Sequence, residues 1–336
     1  MDFTLHTEFP VELHDEWNAL LEESASHVPF LRYDYLTTWW QTRGGGEWPD
    51  ASLALVTARE DGRLVGAAPL FRAEQDGRPV LLNVGAIEIS DYLDLLARPA
   101  DLERFLTGLL PFLHAAEIPA WQSLRLYNLL DSSPIPQALQ DAAAAQGWTA
   151  AEERLQHSPY ILLPGDWETY LAGIDKKQRH EIRRKMRRLE GSGAPWRWYI
   201  VTDGESLPAE IEAFLDLMAQ DPEKAAFLTP PMREHMRLTI QCAFDAGCLQ
   251  LAFMEINGQK AAGYLSFDYL NRLWVYNSGI DRSFNEYSPG WVLLGYLLQW
   301  ANENGRAEFD FMRGDEDYKY RFGAVDRFVL RVDLTP

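Results

Sequence analysis

The sequence predicts an α/β (α+β) fold of two tandem units, each a mixed twisted sheet flanked by helices. Three observations point there. At 336 residues the chain exceeds what one hydrophobic core usually holds, and it divides naturally into two domains of about 150 residues. β-rich runs alternate with segments of helical periodicity along its length. Finally, ALVTAREDGRLVGAAPL and LAFMEINGQKAAGYLSF share a layout: a β-run, an Asp-Gly or Asn-Gly turn, and a second β-run carrying Gly66 or Gly263. The interval to that Gly differs by one residue, so the pair reads as a duplicated unit or as two hairpins alike by chance. We take duplication, with units at 1–155 and 156–336.

In order, the first unit reads as a helix around Tyr33–Trp40, a break at Gly44–Gly46 and a hairpin turning at Asp61-Gly62. PVLLNVGAIEISDYLDLL adds strand material, residues 101–116 a helix, WQSLRLYNLL a strand, and 135–147 an Ala-rich helix. The second unit opens with strand-like SPYILLP. One long helix from about Trp167 to Leu189 follows, with Leu171, Ile174, Ile182, Met186 and Leu189 at helical spacing. Strand WRWYIVT, helices 207–219 and 231–245, and three strands across LQLAFMEINGQKAAGYLSFDYLNRLWVYNSGI complete the approach to EYSPGWVLLGYLLQWANENG.

Composition is that of an ordinary folded protein, 47% hydrophobic and 24% charged. The N-terminal stretch MDFTLHTEFPVELHDEW has acids where a secretory signal carries Lys and Arg, and no apolar run reaches membrane-spanning length, so the expectation is a cytoplasmic chain without a membrane span. Cys242 and Cys248 are too few for a disulfide framework, and the seven His residues form no HExxH or Cys/His cluster, so no metal is expected. Net charge is −19, which opposes broad attraction to nucleic acid or anionic lipid. One segment runs against it: DKKQRHEIRRKMRR, where eight of the 31 Lys and Arg residues lie within thirteen positions.

Ser288-Pro289 reads as a helix start, Ser as N-cap and Pro at the first helical position. Gly290, Trp291 and Val292 then carry N–H groups without intrahelical partners, where the helix dipole adds partial positive charge. Either the Ser288 hydroxyl caps an ordinary helix, or the end is built for an anion. Gly290, which lets a ligand approach the backbone, and the apolar body of the helix favour the anion.

The order of RLWVYNSGI, DRSFNEY, SPGWVLLGYLLQWANENG, AEFDFMRG and DEDYKYRFG resembles the acyl-CoA-binding half of the GNAT acyltransferase superfamily. More narrowly, YSPG followed by FDFMRGDEDYKYRFG resembles the acetyltransferases of the CelD/BcsL type, linked to cellulose and exopolysaccharide synthesis. The FemABX peptidoglycan aminoacyltransferases are similar in having two GNAT-like units and a basic helical segment. The resemblance implies acetyl-CoA or another acyl-CoA as co-substrate, held by Ser288, Gly290, Trp291 and Val292, with Asn277, Ser278 and Gly279 beside the thioester. The superfamily loop Gln/Arg-x-x-Gly-x-Gly/Ala is reduced here to Tyr287-Ser288-Pro289-Gly290, with one Gly and no Arg.

FDFMRGDEDYKYRFG gathers polar groups after a strand whose Phe309 and Phe311 share a face. Its Asp315/Lys319 and Asp317/Arg321 spacings suit i,i+4 pairs on an exposed helix, but such pairs contribute only about 0.2–0.5 kcal/mol each, so the density of charge points to function. Transfer of an acyl group to an amine needs a base, donors for the carbonyl oxygen and an acid for the departing thiolate. Asp315 or Glu316 is the candidate base and, as the resemblance implies, Tyr318 the acid. Arg313 and Lys319 are candidate binders of an anionic substrate. In ISDYLDLL, Asp91 either caps a turn or, as the resemblance implies, joins Tyr92 in an acceptor-facing wall.

The leading expectation is an N-acyltransferase acting on an amine of a small or cell-envelope-related acceptor. A FemABX-like transferase drawing an aminoacyl group from tRNA through the 175–188 segment is the alternative, and a non-catalytic GNAT-like binding protein is the third reading.

Overall fold

The structure, a computed structural model, describes residues Met1 to Pro336. It divides into two units, Met1–His157 with Arg327–Pro336, and Ser158–Asp326. The sequence-based boundary between 155 and 156 therefore lies close to the first crossing, but the last ten residues return to the first unit.

In chain order the first unit holds β1 (Asp2–His6), α1 (His14–Glu23), α2 (Tyr33–Gly46), β2 (Ser52–Leu53), β3 (Leu55–Glu60), β4 (Arg63–Ala68), β5 (Leu70–Gln75) and β6 (Arg78–Asn83). β7 (Leu96–Ala97), α3 (Leu102–Ala115), β8 (Ser123–Leu130), α4 (Ile135–Ala145) and β9 (Thr149–His157) follow. These strands make two sheets rather than one, β1-β3-β4-β7 and β2-β5-β6-β8 extended by the chain's last strand and β9. Most of ISDYLDLL is loop, not strand. It is held by the Asn128 side chain, which donates to Ile87 O at 2.9 Å and Ser90 O at 2.8 Å, and by a 2.7 Å bond between Tyr35 and Ser90 hydroxyls.

The second unit runs β10 (Tyr160–Leu162), α5 (Trp167–Gly173), α6 (Lys176–Glu190), β11 (Trp196–Ile200), α7 (Leu207–Met218), α8 (Pro222–Phe227) and α9 (Pro230–Asp245). β12 (Leu249–Ile256), β13 (Gln259–Tyr269), β14 (Arg272–Ile280), α10 (Pro289–Glu303), β15 (Glu308–Asp310) and α11 (Asp317–Arg321) complete it. The single helix expected from Trp167 to Leu189 is two. Asp175 breaks it, since its carboxylate caps α6 by accepting from Lys177 N and Gln178 N while Ile174 is extended. The Arg179 guanidinium then donates back to Leu171 O and Ala172 O at the end of α5.

The sheet order is β10-β15-β14-β13-β12-β11, antiparallel throughout except where β14 meets β15. A parallel pair needs a crossover, which α10 supplies. Its Val292, Leu293, Leu297, Leu298 and Ala301 are buried among Ile182, Met186 and Leu189 of α6 and the apolar face of the sheet.

The two turn-bearing hairpins share more than a layout. In β3–β4, Arg59 pairs with Leu64 but Ala58 with Gly66, leaving Val65 as a bulge. In β12–β13, Glu255 pairs with Lys260 but Met254 with Ala262, leaving Ala261. The extra residue falls at the same offset from the turn in both, and that shared defect, rather than the glycine spacing, is the repeated element.

The last strand, β16 (Phe328–Thr335), lies antiparallel between β8 and β9. Its Val332 and Leu334 are fully buried in the first unit's core with Leu81, Leu124 and Leu126.

Asp94 is 1% exposed in that unit, accepting from the Ser133 hydroxyl at 2.8 Å and Leu95 N at 2.9 Å. Burial pushes its carboxyl up to about 7 from 3.8, against the lowering effect of those bonds. Between those two values the folded chain keeps a proton that the unfolded chain has released, so folding loses stability as pH rises through the window. We therefore expect the urea midpoint to fall from pH 4.5 to 7.5 by less in Asp94→Asn than in the parent, measured by circular dichroism.

Candidate active site

The site forms where two parallel strands separate. β14 and β15 pair only from Arg272/Glu308 to Trp274/Asp310. β15 ends there, while β14 continues to Ile280 along β13. Leu265 pairs with Asn277 and Ser266 with Val275, so Tyr276 is an extra residue that bends β14 at the point of divergence. Asn277, Ser278 and Gly279 follow on the segment with no strand on the β15 side. Gly279 is required by packing: a Cβ would sit 2.5 Å from the backbone of Leu217 and Met218 at the end of α7.

α10 starts at the same end. Ser288 is its N-cap residue but in the left-handed region (φ 53°, ψ 51°), and its side chain makes no capping bond. The hydroxyl instead accepts from Arg188 Nη2 of α6 at 2.8 Å. Of the three N–H groups expected to be open, Val292 N is closed by Ser288 O at 3.0 Å, leaving those of Gly290 and Trp291. The expected ligand-approach role of Gly290 also has a simpler cause, since a Cβ there would lie 2.4 Å from Ile280 Cδ1. Beside this turn the Lys185 ammonium sits over the Trp291 ring, 3.9 Å from its centroid. The cation absent from the loop sequence is thus supplied from the basic helix. Lys185 also pairs with Glu181, as does Arg184, and Arg183 pairs with Glu168.

α11 brings Tyr318 to the first turn of α10. Phe322 packs on Trp291 with ring centroids 4.6 Å apart, and the Tyr318 ring stands edge-on to Phe311 at 6.0 Å. Burial holds the Tyr318 hydroxyl well above the usual phenol range, with neighbouring Tyr264 and Glu316 adding to the effect. Tyr264 is itself buried and donates to Gly290 O at 3.3 Å.

The remaining expected residues separate into two groups. Asp315 is exposed and makes no hydrogen bond or ion pair. Lys319 is 1% exposed, and its ammonium donates to Arg313 O at 2.8 Å and Gly314 O at 3.0 Å and pairs with Glu316 at 2.9 Å. With three donors and three acceptors it has none left for a substrate. Its role is to fold the 313–316 loop, and it takes Glu316 rather than the Asp315 expected from i,i+4 spacing. Arg313 is half-buried next to it, whereas Asp317 and Arg321 do form their pair at 2.5 Å.

Ser278 is also occupied locally. Its N–H donates to Asn277 Oδ1 at 2.9 Å and its carbonyl accepts from Lys224 at 2.6 Å, so it is not available to a thioester oxygen. In the first unit Tyr92 is fully buried under the Arg327 guanidinium, 5.5 Å from its ring centroid, so packing rather than acceptor contact accounts for it, while Asp91 is half-buried in the same loop. No group of three or more His, Cys, Asp or Glu side chains is placed to hold a metal ion, and no helix is long and apolar enough to cross a membrane. Tyr264 and Lys224 escaped the sequence reading, as did the place of Arg188 at the α10 start. Arg188 was visible as part of the basic run, but neither Tyr264 nor Lys224 stands in any motif.

A strand bent by a bulge, a splayed parallel partner and a helix start with open donors thus meet at one end of the sheet. Residues 176–320 match the acetyltransferase (GNAT) domain family. The match covers most of the second unit and marks the chain as a transferase. None of the curated proteins matches by sequence. In fold the chain is similar to FemX, with a TM-score of 0.67 and 12% identity over 99% of this chain and 97% of that one. It is likewise similar to a conserved protein of unknown function from Bacteroides thetaiotaomicron VPI-5482, with a TM-score of 0.63 and 14% identity over 100% of both chains. A third likeness is to L-PGS from Bacillus licheniformis, with a TM-score of 0.58 and 15% identity over 97% of this chain and 92% of that one. These likenesses are in fold and run over both units.

The reading of Lys319 as a loop-folding residue is open to direct measurement. Removing one partner from a buried charged network costs roughly 3 kcal/mol or more. Lys319→Met is expected to lower unfolding stability by about that amount in urea titrations, whereas a substrate-binding lysine would leave the midpoint unchanged.

Proposed function

We propose that the second unit transfers an acyl group, most simply acetyl, from CoA to an amine of a small or cell-envelope-related acceptor. The observation that carries this reading is the α10 start, where the free N–H groups of Gly290 and Trp291 lie in the same turn as a Ser288 hydroxyl held by Arg188. Open backbone donors, the dipole and a guanidinium together suit the diphosphate of CoA. The pantetheine arm would then run along the Asn277–Gly279 segment toward Tyr318. Tyr318 is a phenol protonated at neutral pH, and its burial holds that proton more firmly, so the hydroxyl carries a proton to give to a departing thiolate. Asp315 is the carboxylate left to take the amine proton, since Glu316 is engaged by Lys319. The narrower likeness to the CelD/BcsL acetyltransferases belongs to this proposal and would place the acceptor in polysaccharide synthesis.

Aminoacyl transfer from tRNA is the second reading, favoured by the exposed Lys176, Lys177 and Arg187 on α6. Phosphate contacts of that kind would make binding steeply salt-dependent.

Calorimetric titration with acetyl-CoA decides between them. Saturable binding is expected, weakened about tenfold in Arg188→Gln, the loss that one charge-assisted hydrogen bond entails. Tyr318→Phe should bind normally yet turn over about a hundredfold more slowly, as loss of a general acid does. A folded parent that ignores acetyl-CoA but binds tRNA in a salt-sensitive way overturns the CoA reading. Transfer retained in Tyr318→Phe overturns the assignment of the acid.

A further inference from the structure

A second feature of the β14 end takes no part in the chemistry outlined above. Between the end of α7 and the end of β14 lies a cavity of about 370 Å³, walled by Leu217, Met218, Lys224, Gly279, Arg282 and Asn285 among others. Lys224 reaches it from α8. Its ammonium donates to Asn277 Oδ1 at 2.8 Å and Ser278 O at 2.6 Å. An ammonium carries three donors, and the third has no acceptor within the chain.

The surrounding charge is unbalanced in one direction. Lys224 and Arg282 supply two cations, and Asp221 is the only carboxylate on the wall. Asp221 is already committed, accepting from Glu223 N and Lys224 N to cap α8 and pairing with Arg282 at 3.1 Å. Glu316, the other acid that Lys224 senses, is held by Lys319. Burial lowers the pKa of Lys224, a desolvation cost that Asp221 and Glu316 offset in part and that an anion in the cavity would offset further. A clamp between α8 and β14 would account for the two bonds made, but for neither the spare donor nor the open space beside it.

We propose that Lys224, assisted by Arg282, receives an anionic oxygen group, carboxylate or phosphate, on the acceptor, so that this transferase selects small acidic amines over neutral ones. The inference rests on the acyl-transfer reading. Lys224 grips Asn277 and Ser278, the segment along which that reading lays the acyl donor. An acceptor anchored on its third donor would hold its amine beside the thioester.

The experiment uses the full chain with matched probes: L-alanine against L-alaninamide, and glucosamine 6-phosphate against glucosamine. Each is titrated calorimetrically without CoA and then assayed for thiol release from acetyl-CoA, in the parent, Lys224→Met and Lys224→Arg. We expect one acidic member to bind at least about tenfold more tightly than its neutral partner, a margin that one charge-assisted bond supplies. Lys224→Met should erase that margin, through KM rather than kcat, and Lys224→Arg should recover part of it. Preference for the amino acid identifies a carboxylate, and preference for the sugar phosphate identifies a phosphate. Equal binding of acid and neutral partner, or a margin unchanged in a folded Lys224→Met, overturns the inference while leaving acetyl-CoA binding intact. Acid binding that depends on Lys224, without any thiol release, upholds the anion receptor and tells against acyl transfer instead.

Discussion

Everything proposed for this protein depends on the divergence of two parallel strands. Three registers hold β14 to β15, and beyond Trp274/Asp310 the pairing ends. The bulge at Tyr276 turns β14 just past that point, and α10 must begin at the same end of the sheet to carry the chain across to β15. Buried backbone groups normally find partners in their own ladder. Here a stretch of strand edge and the first turn of a helix are released together, so polar donors collect where the sheet opens. Ligand binding at the ends of α/β strands follows from that loss of pairing.

Two lysines, one buried and one half-buried, show how closely hydrogen-bond accounting separates structure from recognition. Lys319 has an acceptor for each of its three protons and fixes the loop after β15. Lys224 has acceptors for two and opens onto a cavity. Residue type and charge do not distinguish them and burial does so only in degree, whereas the count of satisfied donors separates them. The same accounting reassigns Ser288, whose hydroxyl would be expected to cap its own helix and instead orients an arginine from another.

Much of the architecture was legible because its signals are local. Asp61-Gly62 and Asn257-Gly258 turn the hairpins, Pro289 opens α10, and the spacing of Ile182, Met186 and Leu189 marks the buried side of α6. Where the reading departed, a contact distant in sequence decided the outcome. The stop at Ile174 needed the Asp175 cap to outweigh an unbroken helical pattern. Tyr92 sits in a run rich in β-formers, yet Asn128 and Tyr35 hold that run as a loop and bury the ring. Arg188 meets Ser288 across a hundred residues, a juxtaposition that no spacing rule encodes. The glycines misled for a related reason: Gly279 and Gly290 are demanded by neighbours inside the fold, which look in sequence like demands from a ligand.

The return of β16 to the first unit bears on how the chain is made. Synthesis delivers β1 to β9 first, but the strand that belongs between β8 and β9 emerges only after the whole of Ser158–Asp326. Until then β8 and β9 lack their common neighbour, and the apolar pocket awaiting Val332 and Leu334 stays open. The second unit is continuous and can mature on the ribosome as a block. The N-terminal half therefore finishes last, and during translation it is the part of the protein that most needs protection from pairing with a stranger.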